Sequence, residues 1–275
     1  MVKKLSGLLL FAVLFTLMSC ASKPKEMGKR AQIYFNAGTQ SLMTRDYTEA
    51  LTNLLRANEA EPNNADILNN LGMAYYFKGD ETLALKCFRK TLELDPKNSD
   101  ARSNIGSIHF EAGRFQEAEA HYKEVLKDLT YDKQARTYYN LGILELDKKK
   151  NPVQAEAYFK ASVKEAEDYC PSHYRLGTIY FSKREYNKAF RSFREATMGT
   201  CVDSPAAHYD QALTLIELKK FNDARVKLDD IQNRFQKTVF AVKARSKVLE
   251  LDEIENQYRT LEVRSPRKVI NSPEF

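Results

Sequence analysis

Thiols and imidazoles are the side chains best placed to do chemistry in this chain, and it carries four of each. Cys170 and His173 stand three residues apart, so they could touch on one helical turn. A thiol beside an imidazole can become a nucleophile. Such a pair also needs a third group to orient the ring and donors for a developing oxyanion. Neither can be assigned here. His109 and His121 stand at no metal-ligand spacing, so no zinc site is read. There is no glycine-rich phosphate loop. The Asp and Glu residues fall on outer helix faces and in turns, where solvation accounts for them. The expectation is a protein that is not an enzyme, with no catalytic residue, no cofactor and no metal. What remains for the thiols is attachment, cross-linking or packing, and the elements that carry them decide which.

Cys20 ends a distinctive leader. Lys3 and Lys4 precede an apolar run from Leu5 to Met18, 14 residues long. A membrane-spanning helix needs roughly 20 apolar residues, so the run reads as the core of a signal peptide. The segment Leu17-Met18-Ser19-Cys20 resembles the bacterial lipobox, although Met18 is a less usual choice. The resemblance implies diacylglycerol on the Cys20 sulfur, cleavage before it and acylation of the new amino group. Several acyl chains anchor a protein stably where one is marginal. Ala21 and Ser22 follow in place of the Asp of an inner-membrane retention signal, so an outer-membrane address on the periplasmic face is expected. Residues 1–19 are then signal peptide and 20–29 a tether. Without Lys3 and Lys4 the formal charge falls from +6 to +4, and charged residues of both signs make up 29% of the chain. That balance favours solubility and argues against nucleic acid. The triplet Lys148-Lys149-Lys150 reads as a solvated turn.

The rest of the chain repeats. Residues 65–98 place Leu68, Leu71-Gly72, Tyr75, Ala84, Phe88 and Pro96 at spacings that resemble the tetratricopeptide repeat over all 34 positions. Two helices are expected, 65–78 and 81–94, with Gly79-Asp80 between them. Small residues recur in the first helix at Gly38, Gly72, Gly106, Gly142, Gly177 and Ala212, and in the second at Ala50, Ala84, Ala118, Ala155, Ala189 and Ala224. Four residues after each alanine comes a large apolar one: Leu54, Phe88, Tyr122, Phe159, Phe193 and Leu228. Small residues allow helices to approach closely, and Pro96 cannot continue a helix. Repeat three lacks the closing proline and has Thr130-Tyr131 there. Repeat four has an extra residue, read near Asn151-Pro152, and repeat six has Gln211 where Leu usually stands. The resemblance implies an all-α, right-handed superhelical solenoid of about six repeats over 30–235. Residues 236–263 are read as a capping helix in which Phe240, Val248, Leu249 and Ile254 cover the last repeat, since an open solenoid end must be hidden. Residues 264–275 are read as a disordered tail.

In this family the first helices line the concave surface, with positions 5, 9, 12 and 13 among those pointing into it. These positions supply Phe35, Asn69 and Tyr139; Met73; Leu42, Tyr76 and Phe110; Met43 and Phe77. The wall is apolar and aromatic, with amides at Asn70, Asn104 and Asn140. It is read either as ordinary repeat consensus or as a groove for a partner. Some members of the family clamp a C-terminal carboxylate with basic residues. Here only Arg136 and Arg175 are placed for that, which favours an apolar or amphipathic segment. His173 and His208 share one large core-facing position and read as packing residues. Stacking also sets Cys170 and Cys201 side by side, one repeat apart, so either a disulfide or two half-buried thiols is expected. Cys87 reads as an inert packing residue.

A lipobox followed by six such repeats and little else resembles the type IV pilus pilotin lipoproteins. Paired cysteines in the later repeats look like a feature of one branch of that group. The resemblance implies a protein that accompanies secretin subunits to the outer membrane and promotes their insertion and multimerisation. The rival reading is a periplasmic scaffold lipoprotein that recruits cell-wall hydrolases or outer-membrane assembly factors. The oligomeric state is left open.

Overall fold

The computed structural model describes residues 28–264. The signal peptide, Cys20, the tether up to residue 27 and the tail from residue 265 lie outside the described residues. Among those described, the chain forms α-helices and turns with no strand. Six antiparallel hairpins follow one another. They are α1 (Lys29–Met43) with α2 (Tyr47–Ala60), α3 (Ala65–Phe77) with α4 (Glu81–Leu94), and α5 (Ser99–Glu111) with α6 (Phe115–Val125). After them come α7 (Gln134–Ile143) with α8 (Pro152–Glu165), α9 (Cys170–Ser182) with α10 (Tyr186–Glu195), and α11 (Pro205–Glu217) with α12 (Phe221–Arg234). The long helix α13 (Val239–Arg264) closes the array against α11 and α12. No described helix is long and apolar enough to cross a membrane.

Local chemistry sets these boundaries. Asp46, Asn64, Asp80, Asn98 and Asn151 each accept a backbone N–H at a helix start. Such caps contribute about 1 kcal/mol each, because they satisfy donors the helix itself leaves open. Each hairpin turns through one residue with left-handed backbone: Arg45, Gly79, Gly113, Lys150, Arg184 and Lys219. Lys149, the middle of the lysine triplet, pairs with Glu119 at 2.7 Å and Glu145 at 3.0 Å.

The repeat frame is the packing frame. The six alanines of the second helices are fully buried, and Leu54, Phe88, Tyr122, Phe159, Phe193 and Leu228 are buried beside them. A Cβ on Gly142 would lie 2.5 Å from the Phe159 ring, and one on Gly177 2.6 Å from Phe193. Only glycine permits that approach of helix to helix.

Four readings need correction. The extra residue of repeat four is not taken up at Asn151-Pro152, where Asn151 caps α8 and Pro152 opens it. It is absorbed in a π-helical turn, Leu144–Lys148, which widens the helix by one residue and keeps Leu144 in the core. In the cap, Leu249 is 67% exposed. The covering stripe is Ala244, Val248 and Leu251, at helical spacing, and Leu249 stands about 100° away from Val248. The side chain of Ile254 lies outside the described residues. The first helix takes in Lys29 and the cap helix begins at Val239, so the tether ends one residue earlier and the cap starts three residues later than read. His173 is half-buried rather than in the core. Its Nε2 meets the Glu167 carbonyl at 2.8 Å, as His208 meets that of Val202 at 2.8 Å, so each ring ties down the loop before its own helix.

Candidate protein-binding cleft

The first helices of hairpins two to five open onto a concave cleft of about 290 Å³. Met73, Tyr76 and Phe77 enter it from α3, Phe110 from α5 and Tyr139 from α7. These five of the nine expected groove residues are brought together. Phe35 and Leu42 instead pack into the core between the first two hairpins. Met43 is 75% exposed and does not line the cleft. Asn69 is buried, with its amide within reach of Asn70 and Asn104, each at 3.5 Å. The first hairpin is thus a wall beside the cleft, because the large side chains of α1 fill the space against α2.

The cleft is more polar than its aromatic residues suggest. Asn104, Ser107, Glu111, Arg136, Asn140 and Arg175 share it with them. The Tyr76 hydroxyl donates to Glu111 of the next repeat, and burial and that carboxylate raise the Tyr76 pKa. The nearest carboxylate to Arg175 is that of Asp147, 4.0 Å away. The Arg136 guanidinium lies exposed on α7, and its charge reaches Tyr76, Tyr122 and Tyr169. Both arginines stand where the repeat pattern puts them, and they now belong to the same cleft as the aromatic residues. Residue type alone does not mark Glu111 and Ser107, since one reads as a solvated acid and the other as a small helix residue. Their signal is positional: each falls on the face of α5 that also carries Asn104.

Amide side chains link neighbouring repeats along this wall. Asn70 donates to Thr39 at 2.9 Å, and Asn104 reaches Asn69. Farther along, Tyr174 donates to Asp210 at 2.8 Å.

The thiols and imidazoles fall into place separately. Cys170 and Cys201 form a disulfide with Cα atoms 6.2 Å apart. That bond removes the Cys170 thiol from any partnership with His173. Cys87 is free and buried against Ala50, Leu54, Leu71 and Ala74, and burial pushes its thiol up to about 11, which keeps it protonated. His109 and His121 stack with ring centroids 5.4 Å apart, and Arg114 donates to His109 Nδ1 at 2.7 Å. Burial lowers both imidazole pKa values. Among the described residues no group of three or more His, Cys, Asp or Glu could hold a metal ion.

Family models described as tetratricopeptide repeat match residues 65–98, 98–168 and 171–198. No curated protein matches the sequence. Solved structures resemble the fold closely. One is that of PilF of Pseudomonas aeruginosa, with 20% identity and a TM-score of 0.68, covering 79% of this chain and 97% of that one. Another is PilW, described as a widely conserved type IV pilus biogenesis factor, with 18% identity and a TM-score of 0.64, covering 78% of this chain and 97% of that one. The anaphase-promoting complex assembly Cut9–Hcn1 reaches a TM-score of 0.67 at 14% identity, covering 80% of this chain and 43% of that one. At these identities the likeness is one of fold: a solenoid of tetratricopeptide repeats, an architecture typical of protein-interaction scaffolds.

Proposed function

We propose that this protein is an outer-membrane lipoprotein, anchored through Cys20, which binds secretin subunits and promotes their insertion and multimerisation in type IV pilus biogenesis. The observation that carries the reading is one of extent. PilF and PilW are each matched over 97% of their own length, whereas Cut9–Hcn1, with a similar TM-score, is matched over 43%. About four fifths of this chain thus superposes on nearly the whole of a type IV pilus biogenesis factor. Two features fit the proposed work. The concave cleft combines aromatic surface with donors and acceptors, which suits an extended or helical segment of another protein. The lipobox-like segment ending at Cys20 supplies a membrane address.

In this mechanism the acyl chains hold the solenoid at the membrane, and the cleft shields an apolar secretin segment until the ring buries it. The test joins cross-linking with genetics. A tagged chain is cross-linked in cells and solubilised, and its partners are identified beside a Cys20→Ala variant. Recovery of a secretin, with secretin multimers lost when the gene is deleted and when Cys20 is replaced, supports the proposal. Cell-wall hydrolases or outer-membrane assembly factors as the partners, with normal secretin multimers, would overturn it in favour of a general periplasmic scaffold.

A further inference from the structure

One position of the repeat changes its chemistry along the solenoid. Two residues before each small residue of the first helix stand Asn36, Asn70, Asn104, Asn140, Arg175 and then Asp210. Four amides give way to a cation and then an anion. Asp210 therefore puts a negative charge on the concave side where earlier repeats put a neutral donor and acceptor.

Its surroundings are those of a receptor. Asp210 lines a pocket of about 150 Å³ with Phe181, Phe193 and Leu213 as apolar walls and Thr178 and Ser182 at its edge. The Tyr174 hydroxyl occupies one carboxylate oxygen, Oδ2. Among the described residues no cation forms an ion pair with the carboxylate. Lys243 acts on it only from a distance, and its ammonium stands 5.2 Å from the centre of the Phe240 ring. Burial raises the Asp210 pKa against the opposing pull of Tyr174 and Lys243. A half-buried carboxylate without a close counter-charge is costly, and an incoming cation removes that cost.

We infer that this pocket receives an arginine or lysine side chain of the bound protein segment, with the head group on Asp210 and the methylene stem between Phe181 and Leu213. Apolar walls around an acidic end suit a long side chain whose stem is apolar and whose tip is charged. Arg175, one repeat earlier at the same position, offers the opposite sign. A segment carrying an acidic group before its basic one would match both, and reversing it would set like charges together. The inference rests on the concave wall being the binding surface, as in the function proposed above.

Detergent-solubilised full-length protein is titrated with blocked fluorescent peptides that share one apolar–aromatic frame. Arg, citrulline or Glu is placed at each position in turn. Citrulline keeps the shape of arginine without its charge. At one position the Arg peptide binds about tenfold more tightly than the citrulline peptide, in line with a charge-assisted hydrogen bond. Asp210→Asn brings that ratio to about one, while Lys243→Gln, which leaves Asp210 untouched, raises it. Equal binding of Arg and citrulline peptides at every position overturns this inference and leaves the groove reading standing. A preference that survives in folded Asp210→Asn also overturns it. Failure of every peptide to bind would overturn both.

Discussion

The middle of the solenoid and its C-terminal end solve the same packing problem differently. In hairpins two to five, glycine in the first helix lies against an aromatic ring of the second: Phe88, Tyr122, Phe159 and Phe193. Hairpin six has Ala212 and Leu228 there, and buries Gln211 with its Oε1 unpaired. What the end loses in packing it recovers by tethering. The loop before α11 is held by the Cys170–Cys201 disulfide, by His208 on the Val202 carbonyl, and by Arg234 on that same carbonyl at 3.1 Å. The cap adds Ala244 and Leu251 to the last core. In a solenoid each repeat contacts only its neighbours, so stability is local and each end needs its own devices.

The strongest way to break this comparison is to remove the cross-link. The disulfide spans a sequence separation of 31, and closing such a loop contributes roughly 3–4 kcal/mol in the chain-entropy model. A Cys170→Ser/Cys201→Ser variant should lower the unfolding midpoint by about 6–16 °C, with hydrogen exchange accelerating first in α9 to α13. An unchanged midpoint, or faster exchange confined to α1–α4, would show that the end does not depend on its tether. The matching test in the middle is Gly142→Ala. Its new Cβ would meet the Phe159 ring at 2.5 Å, and forced overpacking of this kind costs about 1–3 kcal/mol. Calorimetry should register that loss. Neutrality would mean that the ring can move aside.

Much of this was legible from residue types. The alternation of glycine, alanine and large apolar residue located all six hairpins, because those residues are the packing contacts themselves. Solenoid geometry put Cys170 and Cys201 at equivalent corners. What could not be read was how each irregularity is absorbed. A one-residue insertion can enter a loop or a helix with similar local propensity, and burial of Leu144 selects the π-helical turn. Leu249 looks as apolar as Leu251, and only the phase of α13 against α12 separates them. The wall position of Phe35 and Leu42 likewise follows from their packing against Ala50, Leu54 and Leu71, which residue spacing alone does not encode. Asp210 stood in the same register as the noted asparagines, yet one acid among many gave no sign of its pocket.

A smaller effect sharpens the comparison in the opposite direction. Gln211 occupies the position filled by Leu71, Ile105, Leu141 and Leu176 in earlier repeats. Its buried, unpaired Oε1 carries a desolvation penalty. Gln211→Leu should stabilise the protein by about 1 kcal/mol and bring the last hairpin closer to the middle ones. Destabilisation, measured by denaturant titration, would mean that this amide has a role the pairing pattern does not show.

The smallest expected effect concerns the junction between the two regions. Glu156 on α8 bonds to Lys160 on its own helix and to Lys183 at the end of α9, so it joins hairpin four to hairpin five. Burial alone would raise its carboxyl, but the two ammonium groups win and pull it down from 4.5 to about 2. A depressed carboxylate stabilises the fold fully above its unfolded value and progressively less as pH falls through the folded one. The stability difference between wild type and Glu156→Gln should therefore be constant above about pH 5, shrink between 4.5 and about 2, and vanish below that. Its size should stay under about 1 kcal/mol, since both lysines remain accessible to water. Salt should reduce it further. A difference as large at pH 2 as at pH 6 would mean that the charge of Glu156 is not what joins the two hairpins.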